Sequence, residues 1–462
     1  MLAPEHGVNL RTAAPPSRPG AAGARPGPLS KPGSGLLLAG AAALAAALAL
    51  YAADVAIHPA GTLLRWFDLR VYLQAGLVAR HSPATLYTWQ SAPGIRFTYT
   101  PFAAVLCAGL SRLPWTAVTW SMTTASILAL AATVWLAFGG LGWRGRRRAG
   151  AALAVTSVAL WTEPVQRALH LGQVELLLMA LIAADLSGPG RRWWRGAGVG
   201  VAAGIKLVPL IFIPYLLLAR RWRQAAVAAG TFTALAAVGA AVLPRASAQW
   251  WLGPAFLHPG RTGFVAFVEN QSLRALAARV AGSIAASGGA WLALAAVTAV
   301  IGLAAATILY RAGRPVAGWV TCALTGLLVS PISWDHHWVW LAPAAAVLAD
   351  LAVRARGPAR WAWWGLTGLL AGIFAAWPPV WWRGAALMPS GLIWYAPGSS
   401  PAARSHAEYH WQGLIWLAGN LYLLTGLALL AVVAGAAARC WRARPAAASG
   451  PAVRVPFARA GN

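Results

Sequence analysis

The sequence predicts an all-α polytopic membrane protein. Of its 462 residues, 59% are hydrophobic and only 10% are charged, whereas about a quarter of the residues are charged in a typical soluble domain. Apolar stretches recur from Leu36 to the C-terminal region, many close to the roughly 20 residues that cross a bilayer as a helix. A soluble chain of this composition would need one core larger than the about 300 residues at which single cores stop growing.

The basic residues are clustered next to the apolar stretches, and this distribution indicates the topology of the chain in the membrane. Although the formal net charge is +27, 24 of the 37 Lys and Arg residues lie in seven short clusters that flank apolar segments. This is the pattern of cytoplasmic loops under the positive-inside rule, and it also favours contact with anionic lipid. The three cysteines are dispersed and predict neither a disulfide framework nor a zinc site. The distribution therefore argues against a nucleic-acid-binding protein.

Three regions are predicted from composition. Residues 1–34 are rich in Pro, Gly, Ala and Arg, which predicts a disordered cytoplasmic tail because little apolar surface is available to offset ordering. Residues 35–440 form the membrane domain, and residues 441–462 form a second cytoplasmic tail. The first apolar span can act as an uncleaved anchor, so no signal-peptide cleavage is expected.

With the basic clusters on the cytoplasmic side, we expect about ten full crossings and both termini inside. Residues 196–218 lie between two basic clusters, which predicts two short helices meeting within the membrane near Lys206. The stretch 100–114 fits either a short crossing or an interfacial helix on the outer face, and the interfacial placement agrees better with the basic clusters. The ten crossings are predicted near 36–57, 116–138, 149–167, 173–187, 224–243, 289–310, 315–332, 336–353, 361–380 and 412–438.

Acidic residues concentrate on the predicted outer side, where we expect the functional site. Seven of the ten acids fall there: Asp54, Asp68, Glu163, Glu175, Glu269, Asp335 and Glu408. Asp68 lies between Arg65 and Arg70 and shares a helical face with Tyr72 at i, i+4 spacing. Such a carboxylate suits a general base toward a sugar hydroxyl, although a simple ion pair with a neighbouring Arg is the alternative.

Lys206 is the other residue singled out by the sequence. It is one of only two lysines and lies between apolar half-helices. A cation within a membrane costs several kcal/mol, so it needs an anionic partner, for which a lipid phosphate is suitable. Snorkelling of the side chain to the interface is the alternative.

Further candidates lie in polar segments next to the apolar ones. These candidates are Tyr99 before a predicted helix, Gln173 and Glu175 at a span start, Asn270, Gln271 and Arg274 after an outer loop, and Trp334, Asp335, His336 and His337. Sugar or phosphate binding is one interpretation, and helix capping or a membrane-surface turn is the other. Adjacent histidines on a helix point about 100° apart, so we expect no metal site.

Six segments in order resemble glycosyltransferase family 87. They are DLRVYLQAG (68–76), FTYTPF (97–102), GQVELLLMALIAADL (172–186), GIKLVPLIFIPYLLLARRWR (204–223), NQSLRALAAR (270–279) and LLVSPISWDHHWVWLAP (327–343). This family comprises actinobacterial polyprenyl-phosphomannose-dependent α-(1→2)-mannosyltransferases of the GT-C membrane fold. The resemblance covers roughly residues 36–440.

The resemblance implies a polyprenyl-phosphomannose donor, a phosphatidylinositol mannoside or lipomannan acceptor, and no cofactor. Asp68 matches the acid that GT-C enzymes use as general base at an extracytoplasmic active site in the plasma membrane. From the residues themselves, we expect donor-phosphate contacts from Lys206, Arg274 and His336 or His337. We expect substrate contacts from Arg70, Tyr72, Tyr99, Gln173, Glu175, Asn270, Gln271, Trp334 and Asp335.

Two departures from the family pattern bear on specificity, and two other functions stay open. Thr100 stands where the family pattern predicts Pro, and Glu175 stands where it predicts Asn, which leaves acceptor identity undetermined. A GT-C transferase with another polyprenyl-phosphate sugar would share most of these features. A lipid or sugar transporter would also need many spans, but it predicts internal symmetry and charges near the midplane.

Overall fold

The structure is a computed structural model that describes residues 33–57, 65–92, 95–188, 192–253, 263–377, 380–382, 385–387, 391–396 and 406–442. Nearly all of the predicted N-terminal and C-terminal tails lies outside the described residues.

The described chain is predominantly α-helical, as predicted. Two short antiparallel hairpins, β1 (Gln90–Ala92) with β2 (Ile95–Arg96) and β3 (Val380–Trp382) with β4 (Ala385–Leu387), interrupt the helices. The helices are α1 (Ser34–Ile57), α2 (Phe67–His81), α3 (Pro101–Leu110), α4 (Trp115–Gly140), α5 (Gly145–Leu160), α6 (Glu163–Leu171), α7 (Glu175–Leu186), α8 (Ala197–Ile205), α9 (Phe212–Leu218), α10 (Trp222–Val242), α11 (Pro244–Trp251), α12 (Leu273–Ala281), α13 (Gly288–Arg311), α14 (Pro315–Val329), α15 (Leu341–Arg354), α16 (Pro358–Ile373), α17 (Gly413–Gly419) and α18 (Leu421–Arg442).

Fewer helices than expected are long and apolar enough to cross a membrane. Within the described residues there are five, namely α1, α4, α10, α13 and α18, or six if the bent pair α6 and α7 counts as one span. The expectation of ten full crossings is therefore not supported. The stretches predicted to cross near 149–167, 315–332 and 336–353 hold helices of 16, 15 and 14 residues. At 1.5 Å per residue such helices are shorter than a hydrocarbon core of about 30 Å.

The breaks between these short helices place polar groups inside the fold. The axes of α6 and α7 differ by 115° across Gly172–Val174. As predicted, the chain is also interrupted at Lys206, whose backbone is extended (φ −138°, ψ 133°) after the last turn of α8. Freed backbone and polar side chains at such breaks must find partners within the protein.

The ambiguous segment 100–114 contains a short helix with a clear N-terminal cap. The Thr100 side chain accepts a hydrogen bond from the Ala103 amide (3.2 Å), and Pro101 occupies the first turn. The resulting helix α3 has ten residues, which is too short to cross a bilayer. It ends before Trp115, where α4 begins.

Helices α1 and α5 pack closely against each other. A Cβ atom built on Gly40 would lie 2.4 Å from the Gly150 carbonyl oxygen, and one on Gly150 would lie 2.6 Å from the Leu36 carbonyl. Small residues at these positions allow the two backbones to approach, as in tightly packed membrane helices. Elsewhere α2 contacts α6, and the 3₁₀ segment Asp335–Trp340 contacts both α6 and α7.

Candidate active site

Asp68 lies in the first turn of α2, which is anchored to the α6–α7 turn. Trp66 adopts a left-handed conformation (φ 54°, ψ 30°), and its amide donates a hydrogen bond to the His170 carbonyl oxygen (2.6 Å). The neighbouring Leu69 is fully buried, whereas Asp68 is half-buried. This anchoring brings the carboxylate toward Gln173, which follows the break between α6 and α7.

Gln173 orients Asp68 through a defined hydrogen-bond network. Its Oε1 atom accepts hydrogen bonds from the hydroxyls of Tyr72 (2.6 Å) and Tyr99 (3.0 Å). The amide nitrogen Nε2 consequently faces Asp68 and donates to Oδ2 (2.7 Å). The predicted pairing of Asp68 and Tyr72 on one helix face is confirmed, because both meet the same glutamine.

Burial makes Asp68 a stronger base than an ordinary aspartate. Desolvation raises the pKa of its carboxyl, and this effect outweighs the opposing influences of His336, the Gln173 hydrogen bond and the cations Lys206 and Arg167. A half-buried carboxylate with a raised pKa and one oxygen held by an amide is suited to accepting a proton from a bound hydroxyl.

Lys206 extends from the chain break into the same network. Its Nζ atom contacts Glu175 Oε1 in a short ion pair, His337 Nε2 at 2.9 Å and the Tyr99 hydroxyl at 3.4 Å. Helix α7 begins at Glu175, so this residue both starts a helix and faces the site. The anionic partner that the sequence required for Lys206 is therefore Glu175, the residue that departs from the family pattern.

A second charged cluster surrounds Arg167, which the sequence analysis missed. The Arg167 guanidinium forms a short ion pair with Glu269 and lies 3.5 Å from Asp335 Oδ2 and 3.9 Å from Glu163 Oε1. It also lies over the Trp394 ring, 5.0 Å from the centroid. The i, i+4 spacing of Glu163 and Arg167 was the available signal, but both residues were assigned to a membrane crossing and its end.

The two clusters are linked through Asp335 and the histidine pair. Asp335 Oδ1 accepts hydrogen bonds from the His336 amide (2.7 Å) and faces His336 Nδ1 at 3.2 Å. The rings of His336 and His337 lie edge to face, with centroids 4.8 Å apart. His337 contacts Lys206, so one short 3₁₀ segment carries contacts to both cations.

The C-terminal helix completes the cluster around Glu163. Glu163 Oε2 accepts a hydrogen bond from the Tyr422 hydroxyl (3.1 Å) on α18, and Oε1 accepts from Trp394 Nε1 (3.2 Å). The site thus unites residues that are far apart in the chain.

Two further candidates, Asn270 and Gln271, form hydrogen bonds with the backbone of neighbouring segments. The Asn270 amide bonds the carbonyls of Val265 and Pro331, and its Oδ1 accepts from the Ser333 amide (2.9 Å). Gln271 likewise bonds backbone groups of Val268, Gly419 and Leu423. These amides brace the segment that carries Trp334 to His337.

Both candidate arginines stack on tryptophans away from Lys206. The Arg274 guanidinium lies 4.4 Å from the Trp291 ring centroid on α13, and Arg70 is exposed with its guanidinium 5.4 Å from the Trp115 ring. Trp334 packs on the apolar cluster with Val265 and Ile332. Among the described residues, no side-chain hydrogen bond or ion pair joins Arg70 or Arg274 to the Asp68 and Lys206 networks.

The arrangement of donor atoms at Lys206 also bears on metal binding. Ligand atoms of Glu175, His336 and His337 lie within 4.8 Å of one another. The two histidine side chains are therefore closer together than expected for neighbours that point about 100° apart on a helix. The Lys206 ammonium, however, contacts two of these three groups. A divalent ion bound there would lie against this cation, so the donor set fits an ammonium better than a metal.

Comparison with known proteins decides the family. The model of glycosyltransferase family 87 matches residues 97–331, just over half of the chain. The chain belongs to glycosyltransferase family 87. It is therefore a glycosyltransferase, and the resemblance stated from the six segments is confirmed.

Curated mycobacterial relatives are similar over most of the chain. A protein of Mycobacterium tuberculosis CDC 1551 named polyprenol-phosphate-mannose-dependent α-(1-2)-phosphatidylinositol pentamannoside mannosyltransferase is 34% identical over 78% of this chain and 80% of its own length. A like-named protein of Mycolicibacterium smegmatis is 32% identical, with 78% and 84% coverage. A phosphatidylinositol mannoside mannosyltransferase of M. tuberculosis H37Rv is 31% identical, with 72% and 79% coverage. No solved structure matches the family 87 chain.

Gly172 offers a test of how the family 87 site is positioned. It has φ +70°, and an added Cβ would lie 2.8 Å from Leu69 Cβ on the helix that carries Asp68. We expect Gly172→Ala to lower kcat/KM about tenfold by separating Gln173 from Asp68, because sub-ångström misplacement is costly in catalysis. Steady-state transfer assays on purified protein measure this.

Gly282→Ala is the matched control, since Gly282 has φ +62° but no atom within 4 Å of an added Cβ. Both variants incur the backbone cost of a left-handed alanine. An equal loss of activity in the two variants would contradict the positioning role of Gly172.

Proposed function

We propose that this glycosyltransferase moves mannose from polyprenyl-phosphomannose to a lipid-linked glycan of the phosphatidylinositol mannoside or lipomannan type. The observation that carries the proposal is the juxtaposition of an oriented carboxylate, Asp68, with a half-buried ammonium, Lys206, through Gln173 and Tyr99. The names of the mycobacterial relatives supply the donor and the class of acceptor.

The proposed reaction is a single displacement with inversion. The acceptor hydroxyl attacks the anomeric carbon of the β-linked donor, its proton passes to Asp68, and the bond from that carbon to the phosphate oxygen breaks. The new linkage is α-(1→2), and polyprenyl phosphate leaves. Lys206 stabilises the charge that develops on the leaving phosphate, as fixed cations do in other transfer sites.

The proposal places the protein in the plasma membrane as a multi-pass GT-C enzyme. The active site lies on the extracytoplasmic face and both termini are cytoplasmic, in accordance with the clustered Arg residues at 144–148 and 191–195. Lipids are its partners on all sides of the helices, and nucleic acid is not a partner.

We further propose that catalysis needs no metal or other cofactor, because Lys206 lies among the donor atoms of Glu175 and His337. Mannose transfer that survives exhaustive treatment with a chelator would support this. Loss on chelation with recovery on adding a divalent ion would refute it.

The first test is transfer in membranes containing the wild-type chain. Polyprenyl-phosphomannose is supplied with a panel of phosphatidylinositol mannosides, and α-(1→2)-linked product is sought. Transfer of another polyprenyl-phosphate sugar, with no transfer of mannose, would show that the donor carries that other sugar. No sugar transfer of any kind would favour a transporter.

Replacing Lys206 with Met is expected to lower kcat about 10²-fold, because loss of one preorganised stabilising group at a developing anion has that order of effect. The chain should still insert and elute as a single species. Arg245→Met removes an exposed charge from α11 and serves as the control. Unimpaired turnover of Lys206→Met would remove Lys206 from the phosphate site.

A further inference from the structure

The Lys206 ammonium has no hydrogen left for a substrate. An ammonium carries three N–H donors, and Nζ faces three partners: Glu175 Oε1, His337 Nε2 and the Tyr99 hydroxyl. A phosphate oxygen that binds Lys206 must therefore take the position of one of these partners.

Glu175 is the partner that a phosphate can replace. It is the single anion of the three, so a phosphate oxygen substitutes for its charge as well as for its hydrogen bond. Tyr99 is held independently, since its hydroxyl lies 2.7 Å from that of Tyr72 and donates to Gln173. The second carboxylate oxygen, Glu175 Oε2, is buried and has no hydrogen-bond partner among the described residues. Lys206 thus holds the carboxylate by one oxygen.

We propose that Glu175 competes with the phosphate group for Lys206 and thereby promotes release of the polyprenyl phosphate product. This inference rests on the proposed function and assigns a role in product release to the ion-pair partner of Lys206. When the site is empty, Glu175 neutralises Lys206. When a phosphate is bound, Glu175 is displaced from the ammonium.

The charges of donor and product explain why such a competitor matters. The donor is a phosphodiester with one negative charge, whereas the product is a phosphomonoester whose second ionisation has a pKa of about 6. A fixed cation therefore binds the product more strongly than the donor. A carboxylate that returns to Lys206 opposes this preference and frees the site for the next donor.

The test is equilibrium binding of a short-chain polyprenyl phosphate to the purified full chain, comparing wild type with Glu175→Gln. The amide keeps an acceptor for Lys206 and loses the charge. We expect the product to bind about tenfold more tightly, in the range of coupling between competing ligands. Inhibition by polyprenyl phosphate should strengthen equally, and donor KM should fall.

Two controls make the result specific. Asp54→Asn removes a negative charge at the end of α1, outside this network, and should leave product affinity unchanged. In a Lys206→Met background, Glu175→Gln should have no effect on product affinity. Glu175→Asn provides a second neutral variant if the glutamine variant does not fold.

Unchanged or weaker product binding in a folded neutral variant would overturn the role of Glu175, because a merely structural carboxylate would weaken phosphate binding when removed. If the wild-type chain transfers mannose and Glu175→Gln binds polyprenyl phosphate with wild-type affinity, only this inference is refuted. A wild-type chain that transfers no mannose refutes the proposed function itself.

Discussion

Asp68→Asn is expected to lower the rate of mannose transfer at saturating donor by about 10³-fold, within the range for loss of a general base. The side chains are nearly equal in size, so binding geometry should persist. The asparagine carbonyl oxygen can accept the hydrogen bond that Gln173 Nε2 now donates to Oδ2. Its NH₂ group then faces the acceptor hydroxyl and cannot receive the proton. Single-turnover rates at saturating donor measure the loss.

The pH dependence of the wild type gives an independent test of the same residue. Burial raises the pKa of Asp68 above that of an ordinary carboxyl, and the base acts only when deprotonated. Activity should therefore fall as the pH falls through this raised pKa, and it should be retained at higher pH. Residual activity of Asp68→Asn should lack this acidic limb. An unchanged limb in the variant would assign it to another group, and wild-type rates in the variant would exclude Asp68 as the base.

The two residues at the centre of the candidate site could be singled out from the sequence because they lie in distinctive local contexts. Asp68 is flanked by arginines, and Lys206 interrupts an apolar segment, so each stands out without knowledge of the fold. Their connection through Gln173 and Tyr99 could not be predicted. It depends on the left-handed Trp66 and the 115° bend after α6, which bring distant segments together.

The number of crossings was overestimated for a related reason. A helix can end within a run of apolar residues, so a stretch such as 149–167 is predicted as one span. In the structure α5 ends at Leu160 and α6 begins at Glu163. The same continuity concealed Arg167, which was assigned to the end of that span. In the structure α6 is a separate short helix whose residues Glu163 and Arg167 are both buried.

Arg167→Met is expected to leave little folded protein. Among the described residues, the guanidinium is the one Lys or Arg group in direct contact with Glu163, Asp335 and Glu269, whose side chains are 0%, 0% and 18% exposed. Removing one partner from a buried ion pair costs about 3–5 kcal/mol, because the remaining charge is left without compensation. That cost is comparable to a large share of the stability of a typical domain. Yield of monodisperse protein and thermal unfolding in detergent measure the effect.

The cause of this loss can be separated from loss of packing. Arg148 also stacks on a tryptophan, with its guanidinium 4.0 Å from the Trp135 ring, but it bonds only the Trp135 carbonyl and no carboxylate among the described residues. Arg148→Met should therefore be tolerated. If uncompensated charge is the cause, adding Glu269→Gln to Arg167→Met should restore part of the yield, since it removes the most accessible of the three carboxylates. Failure of that rescue, together with equal damage from Arg148→Met, would show that the stacked guanidinium stabilises the fold through packing. Arg167 would then hold Trp394 in place, and the carboxylates around it would not depend on its charge.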